Sequence, residues 1–430
     1  MVTADNKRIL NYINDVCAQI KFREVHPEVK LELKTHLHEV ADEYLSSGFS
    51  EDEAVGKAIA QMGSAAVVGK QLNRVHKSRP EWSIVTLSLL FVGLGLLAIY
   101  FIERQVLFPG APIHLFAKSL IFTIIGEAVA AGLYLFDYRK LEPYSRHIYT
   151  GTVLLLVLVI IFGQSVNGKL YLSIGAVSFD IVEICPLLLS MALAGILSSW
   201  DWNQPKKLLQ GLLLCVLPLS LLLATSLSAA VIYSAAGATI IAASGAGRKI
   251  TLLLVGLMLS ALTLAVAVTP LWLQRLTGFI SIEKGSGRNS IPPGDLIGGS
   301  GLFGQGLAQQ PKLIPDLHTD FIFSYITFSL GWIAGGILAA LVVMFIIRLA
   351  GAAKTVKNNY AKLLISGFAA IYAVQFLWNI LMNMGLAPIT GIGLPFISFG
   401  GSQLIFNTAA LGLVLSVYRR RNISNTLINS

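Results

Sequence analysis

Apolar runs of about 20 residues, each long enough to cross a hydrocarbon layer roughly 30 Å thick as a helix, recur from Ser83 almost to the C-terminus. They fall near 83–102, 114–136, 148–164, 180–199, 207–225, 227–244, 250–269, 321–347, 361–384 and 402–418, which makes ten candidate spans. Only Ser226 and Ser228 mark the turn between the fifth and sixth, and fusion of those two would leave nine. With 55% hydrophobic and 13% charged residues, against about 25% charged in a soluble domain, the chain is expected to be an all-α polytopic membrane protein. An ordinary soluble enzyme is excluded.

The formal charge of +9 does not point to nucleic acid, because the basic residues occupy short loops between apolar runs. Arg139, Lys140 and Arg146 follow span two, Lys206 and Lys207 follow span four, and Arg248 and Lys249 follow span six. Arg348, Lys354, Lys357 and Lys362 follow span eight, and Arg419, Arg420 and Arg421 follow span ten. Lys and Arg concentrate in cytoplasmic loops, so both termini are expected in the cytoplasm. That parity favours ten spans over nine. The three cysteines, Cys17, Cys185 and Cys215, show neither metal nor disulfide spacing.

The first 80 residues differ in character and are expected to form a cytosolic helical domain of three or four helices. Ile9, Leu10, Tyr12, Ile13, Val16 and Ile20 recur at helical spacing, as do Val29, Leu31, Leu33, Leu37, Val40 and Tyr44. Ser50 and Glu53 form a capping box ahead of Ala54, Val55, Ala58 and Ile59, and Gly63 stands where that helix ends. Asp5, Lys7, Arg8 and Asp15 interrupt the N-terminal apolar residues, which argues against a signal peptide. Residues 81–421 then form the membrane domain, and 422–430 a cytosolic tail.

On this topology the long outer loop runs from about Pro270 to Asp320, and connections of that length tend to carry function. Trp272, Leu276, Phe279, Ile280, Leu302, Phe303 and Leu313 would let it dip back onto the bundle or the membrane interface. Some patterns carry no weight. Gly299 to Gly304 satisfies GxGxxG without a preceding strand. His36 and His38 lie two apart, so they point in different directions on a helix. The sequon at Asn422 is on the cytoplasmic tail.

Gly298–Leu307, followed by Leu313–Phe323 with His318-Thr319-Asp320, resembles the GSGGLFGKGL and LPExHTDFIF signatures of the SEDS family, the cell-cycle and cell-shape proteins FtsW, RodA and SpoVE. Gly385-Leu386, Pro388, Thr390-Gly391 and Gly393–Ser402 are similar to the family's GLLPVTGIPLPFISYGGSS, and Arg275-Leu276 with Phe279 fits its RLxxF stretch. The resemblance covers roughly residues 83–421 and is strongest after Arg275. The N-terminal helices also look like the small prefix domain that precedes some bacterial permeases, on Phe49–Val55 and Met62-Gly63.

The resemblance implies a peptidoglycan glycosyltransferase that polymerises lipid II outside the bacterial cytoplasmic membrane, in division, shape or sporulation. It also implies a class B penicillin-binding transpeptidase as partner. Such chemistry needs a carboxylate to accept the proton of the attacking hydroxyl, and cations or helix N-termini to offset charge on the leaving pyrophosphate. The loop supplies Arg275, Lys284, Arg288 and Lys312 as cations and Glu283, Asp295, Asp316 and Asp320 as carboxylates. The family's DPxGxGYQ segment is missing: Ile282 falls where its Asp would stand, with Glu283 one residue away. Glu283 is therefore the expected base and Asp320 the alternative. Arg275, Lys312, His318, Thr319, Glu183, Ser398, Gly400, Gly401 and Ser402 are expected to bind substrate.

Other motifs are altered too. Phe328-Ser329 replaces the paired Glu of EELG, Ala224–Ser228 stands where QPDLG would be, and Asp180–Glu183 keeps only the final Glu of QPSE. Two other readings stay open, a lipid II-binding scaffold without activity and a lipid-linked precursor flippase or transporter. Glu127 and Glu183 are ionisable residues inside spans. Thr319 or Asp320 is expected to cap span eight. A divalent cation stays open as cofactor, with no dedicated metal site legible.

Overall fold

Backbone polar groups in hydrocarbon must find partners within the protein, and the computed structural model meets that demand with helices. It describes residues 6–75, 81–105, 114–166, 169–174, 177–270, 272–273, 293–307 and 316–421. The chain divides into two compact units, Met1–Pro80 with Tyr418–Ser430, and Glu81–Val417.

In the first unit, α1 (Lys7–Ala18), α2 (His26–Ser46), α3 (Glu51–Met62) and α4 (Ala65–Val75) enclose a core of Ile9, Ile13, Val16, Val29, Leu37 and Val55. Leu10 and Leu31, expected in the buried stripes, are 36% and 47% exposed. Leu10 stands one position from Ile9, and Leu31 lies between Val29 and Leu33, two positions from each and off the core face. The Glu53 half of the capping box is made, with Ser50 N donating to Oε2 at 3.2 Å. Gly63 ends α3 at φ 88°, and its carbonyl accepts from Tyr12 Oη at 3.0 Å. Within the same unit Glu24 receives both Arg419 and Arg420. Arg419 Nη2 lies 3.2 Å from Oε1, while Arg420 forks across both carboxylate oxygens through Nε and Nη2.

The second unit contains ten apolar helices among the described residues. They are α5 (Trp82–Gln105), α6 (Leu115–Leu135), α7 (Ser145–Phe162), α8 (Cys185–Leu197), α9 (Pro205–Thr225), α10 (Leu227–Ala243), α11 (Arg248–Val268), α13 (Ile322–Thr355), α14 (Asn359–Asn383) and α15 (Gly401–Arg419), with the short α12 (Pro293–Gly298) between α11 and α13. Eight of the ten are long and apolar enough to span, and α8 and α10 are shorter. The Ser226 turn separates α9 from α10, its hydroxyl accepting from Ala229 N at 3.4 Å. At the centre α10 packs against α14 and α8.

Three departures from the sequence reading bear on the site. Span four is shorter than 180–199, because Pro186 fixes the helix start, and Glu183 lies in a preceding 3-10 turn, Val182–Ile184. Strands β1 (Gln164–Val166), β2 (Lys169–Ile174) and β3 (Val177–Phe179) form an antiparallel meander between α7 and α8, pairing Gln164 with Tyr171 and Leu172 with Phe179. Alternation there is too short to read against the flanking apolar runs.

The third departure is a break in span eight. Helix α13 is interrupted at Gly331 (φ 87°, ψ 172°), so that a buried arm from Ile322 precedes the long helix. Facing the break, Gln305 N donates to Phe328 O at 2.9 Å and Trp332 N to Gly301 O at 3.1 Å. A Cβ on Gly331 would collide with Leu302 O and Gly304 N, and one on Gly304 with Ser329 O. The Gly301–Gly306 stretch thus serves close backbone approach. The Leu302 and Phe303 side chains are 64% and 82% exposed.

Candidate functional site

A narrow recess opens among Glu183, Pro186, Ser226, Ser228, Gln375, Gln403 and Asn407. Three helices begin at its wall. Pro186 lies in the first turn of α8, Ser226 caps α10, and Gln403 lies in the first turn of α15. Each helix N-terminus carries a partial positive charge from unsatisfied N–H groups, so the recess suits an anionic group without a lining cation. None of its lining residues is Lys or Arg. Glu183 is its one carboxylate, able to take a proton or to accept from a sugar hydroxyl. The Glu kept from QPSE and the replaced QPDLG positions meet here, as Glu183 with Ser226 and Ser228, whose hydroxyls bond each other at 2.8 Å. Gln403 stands where the family signature has the last Ser of GGSS.

The HTD segment is fastened to the Gly393–Ser402 loop. Ser398 Oγ donates to Thr319 O at 2.6 Å and accepts from Leu394 N at 2.7 Å, while Phe399 N donates to His318 O at 2.9 Å. The His318 ring lies 5.4 Å from that of Phe399, and desolvation holds its pKa below the ordinary histidine value, with Asp316 opposing. The loop itself is strained. Phe396, only 3% exposed, has φ 66°, an arrangement costing on the order of 1–2 kcal/mol for a residue with a Cβ. Aromatic packing holds it there, with Tyr372 at 5.5 Å and Phe345 at 5.9 Å between ring centroids.

Two asparagines on α14 complete the fastening. Asn379 Nδ2 donates to Asp320 O at 2.9 Å and Ile392 O at 2.7 Å, and Asn383 Nδ2 donates to Asp320 O at 3.0 Å. Neither Thr319 nor Asp320 caps α13. Phe321 holds the N-cap position without a side-chain bond, and the Thr319 hydroxyl turns to Asp316 O at 3.1 Å. The acceptor comes from Asn383 Oδ1, which takes Ser324 N at 3.1 Å. Sequence reasoning weighed only ionisable residues inside spans and so passed over Gln375, Asn379 and Asn383. Their spacing of four residues, one stripe of amides down an apolar helix, was the available signal.

The sequence-derived residues separate into groups. Glu183 lines the recess. Ser398 and Gly400 line a different crevice, with Val92, Phe122 and Phe396. Gly401 lies against the Phe122 ring, where an added Cβ would come within 2.6 Å, and Ser402 is half-buried in the first turn of α15. His318, Thr319 and Asp320 join the second group through Ser398, Phe399 and the α14 asparagines. Glu127 is half-buried on α6. Arg275, Glu283 and Lys312, with Lys284 and Arg288, lie outside the described residues. Among those described, no group of three or more His, Cys, Asp and Glu is placed to hold a metal ion.

The model of the cell cycle protein family FtsW/RodA/SpoVE matches residues 81–423, leaving the N-terminal helices outside it. A probable peptidoglycan glycosyltransferase FtsW of Coxiella burnetii (strain RSA 493 / Nine Mile phase I) is 31% identical over 367 residues, covering 79% of this chain and 98% of its own. Stage V sporulation protein E of Bacillus subtilis (strain 168) is 28% identical over 372 residues, 80% of this chain and 98% of its own. Among solved structures, the rod shape determining protein RodA of Thermus thermophilus superposes with a TM-score of 0.62 at 25% identity, covering 80% of this chain and 98% of that one. A chain from work on structural coordination of polymerization and crosslinking by a peptidoglycan synthase complex gives 0.66 at 26% identity, covering 80% and 99%. By its matched length and its relatives, the chain belongs to the FtsW/RodA/SpoVE family of cell cycle proteins.

Proposed function

We propose that this protein is a peptidoglycan glycosyltransferase of the bacterial cytoplasmic membrane. It polymerises lipid II on the outer face, with both termini in the cytoplasm. One observation carries the reading: Glu183, the Ser226–Ser228 turn and Gln403 share a recess with three helix N-termini, at the end of the bundle where α14 ends and α15 begins. That is the end opposite the basic loops. The attacking sugar hydroxyl gives its proton to a carboxylate, and the lipid pyrophosphate leaves against the helix N-termini. Glu283 is the proposed base, with Asp320 the alternative. Arg275 and Lys312 are proposed to hold the pyrophosphate, Glu183 to bind substrate in the recess, and His318, Thr319, Ser398, Gly400, Gly401 and Ser402 to bind it from the separate crevice side.

A class B penicillin-binding transpeptidase is the proposed partner, in keeping with the likeness to the synthase complex. The first unit is proposed as a cytosolic docking module, and deleting residues 1–79 is expected to leave membrane insertion intact, since the loop charges remain. The replacement of the DPxGxGYQ and EELG residues favours a second reading, a lipid II-binding scaffold. Incubation of purified protein with labelled lipid II, with and without candidate transpeptidases, separates the two: polymer supports the enzyme, and binding without polymer supports the scaffold.

A further inference from the structure

Helix α4 of the first unit has its inner face fixed by packing and its outer face left over. Gly69 lies so close to α1 that an added Cβ would come within 2.6 Å of Gln19 Cβ and 2.7 Å of Val16 O, while Val68 and Leu72 pack against the core. Asn73 Oδ1 accepts from Lys21 N at 3.0 Å. These contacts hold α4 in one rotation. The pitch of the helix then gathers Val67, Lys70, Gln71, Arg74 and Val75 on the opposite side. All five are exposed, the two valines by 54% and 66%. Neither Lys70 nor Arg74 has an ion-pair partner among the described residues.

Charge is segregated along this part of the chain. Residues 1–53 hold eleven acids and six bases, whereas 54–80 hold Lys57, Lys70, Arg74, Lys77 and Arg79 and no acid. The basic segment is the one joined to the first span. Residues 76–81 connect Val75 to Trp82 over at most about 25 Å. Trp82, 69% exposed in the first turn of α5, is a residue type that settles at headgroup level. Cations alone would serve to orient the span, and that task needs no valines beside them. Apolar side chains flanked by cations on one helix face are the complement of an anionic lipid surface.

We infer that the outer face of α4 binds anionic phospholipid headgroups, with Val67 and Val75 entering the leaflet and Lys70 and Arg74 meeting its phosphates. The same surface repels the acid-rich segment 1–53, which fixes one orientation of the unit on the membrane. The inference rests on the tether to the first span and not on the glycosyltransferase reading.

The test uses the full chain in nanodiscs of phosphatidylcholine, with and without phosphatidylglycerol. A fluorophore is placed at Val67→Cys and, for comparison, at Leu31→Cys on α2; the native cysteines are buried. Lipid carrying a headgroup nitroxide quenches a label that touches the leaflet. With phosphatidylglycerol present, quenching at 67 is expected to exceed that at 31 about threefold. It should fall by about the same factor in pure phosphatidylcholine, in about 1 M salt, and in the variant Lys70→Glu with Arg74→Glu. If the double variant does not fold, lipid charge and salt decide. Equal quenching at both positions overturns the inference, as does quenching at 67 that ignores lipid charge, salt and the double substitution. A label at 67 that stays in water with either lipid overturns it too, and leaves the face to a protein partner.

Discussion

Asn383, in the last turn of α14, caps the first turn of α13 from a neighbouring helix: its Oδ1 accepts from Ser324 N at 3.1 Å and from Ser324 Oγ at 2.6 Å. Its Nδ2 meanwhile holds Asp320 O. Asn383→Ala would leave a buried N–H and weaken the hold on a carbonyl, each typically costing about 1–3 kcal/mol. A drop in the midpoint of thermal unfolding in detergent is expected. Because Asn379 donates to the same Asp320 carbonyl, the Asn379→Ala and Asn383→Ala effects should not add. Simple additivity in the double variant would deny the shared anchor.

Gly331→Ala should be severely destabilising, since positive φ and the Leu302 and Gly304 backbone both oppose a Cβ there. Gly304→Ala should behave alike. Gly336→Ala is the comparison, because nothing lies within 4 Å of its added Cβ, and a helical Gly→Ala change usually stabilises by roughly 0.5–1 kcal/mol. Folded yield by size-exclusion profile checks all three. Normal yield of Gly331→Ala would mean that the break is not required.

The His318 pKa is depressed, chiefly by desolvation against the Phe399 loop. The sign follows from linkage: the unfolded chain takes up this proton first, so stability present above the ordinary histidine value, about 6.5, is lost as pH falls through the lower folded value. His318→Gln should flatten that part of the stability curve. An unchanged pH slope would remove His318 from its cause.

Ten apolar helices could be read from the sequence because each lies within a continuous apolar run, although α8 and α10 are shorter than the other eight. The break at Gly331 could not, since a glycine within an apolar run looks the same whether the helix continues or stops. Glu183 was legible as a lone acid near a span start, and it lines the recess from the turn before α8. The division of Ser398 and Gly400 from Glu183 was not legible, because a motif gives order along the chain and not which wall each residue faces. The amides of α14 were hidden for another reason: their partners, Asp320, Ile392 and Ser324, lie from 13 to 63 residues away in sequence.

In the first unit, Glu24 is the carboxylate beside Arg420, whose side chain is 1% exposed. Glu24→Gln would remove one counter-charge from that guanidinium, a loss of about 2 kcal/mol after allowing for the partial exposure of Glu24. Trypsin cleavage after Arg420 should become faster, while Glu24→Asp, which keeps the charge, should keep part of the protection. Equal cleavage rates in wild type and Glu24→Gln would show that the pair does not hold the C-terminal segment.

Polymerisation of labelled lipid II by the purified full chain with a class B transpeptidase is the most direct measurement of the proposed activity. Glycan chains are expected from the wild type, and Glu283→Gln should abolish them while lipid II binding persists, since shape is kept and the proton acceptor is lost. Activity that survives Glu283→Gln but vanishes with Asp320→Asn would move the base to the HTD segment. Lipid II that is bound yet never polymerised with any partner would contradict the glycosyltransferase assignment and leave the scaffold.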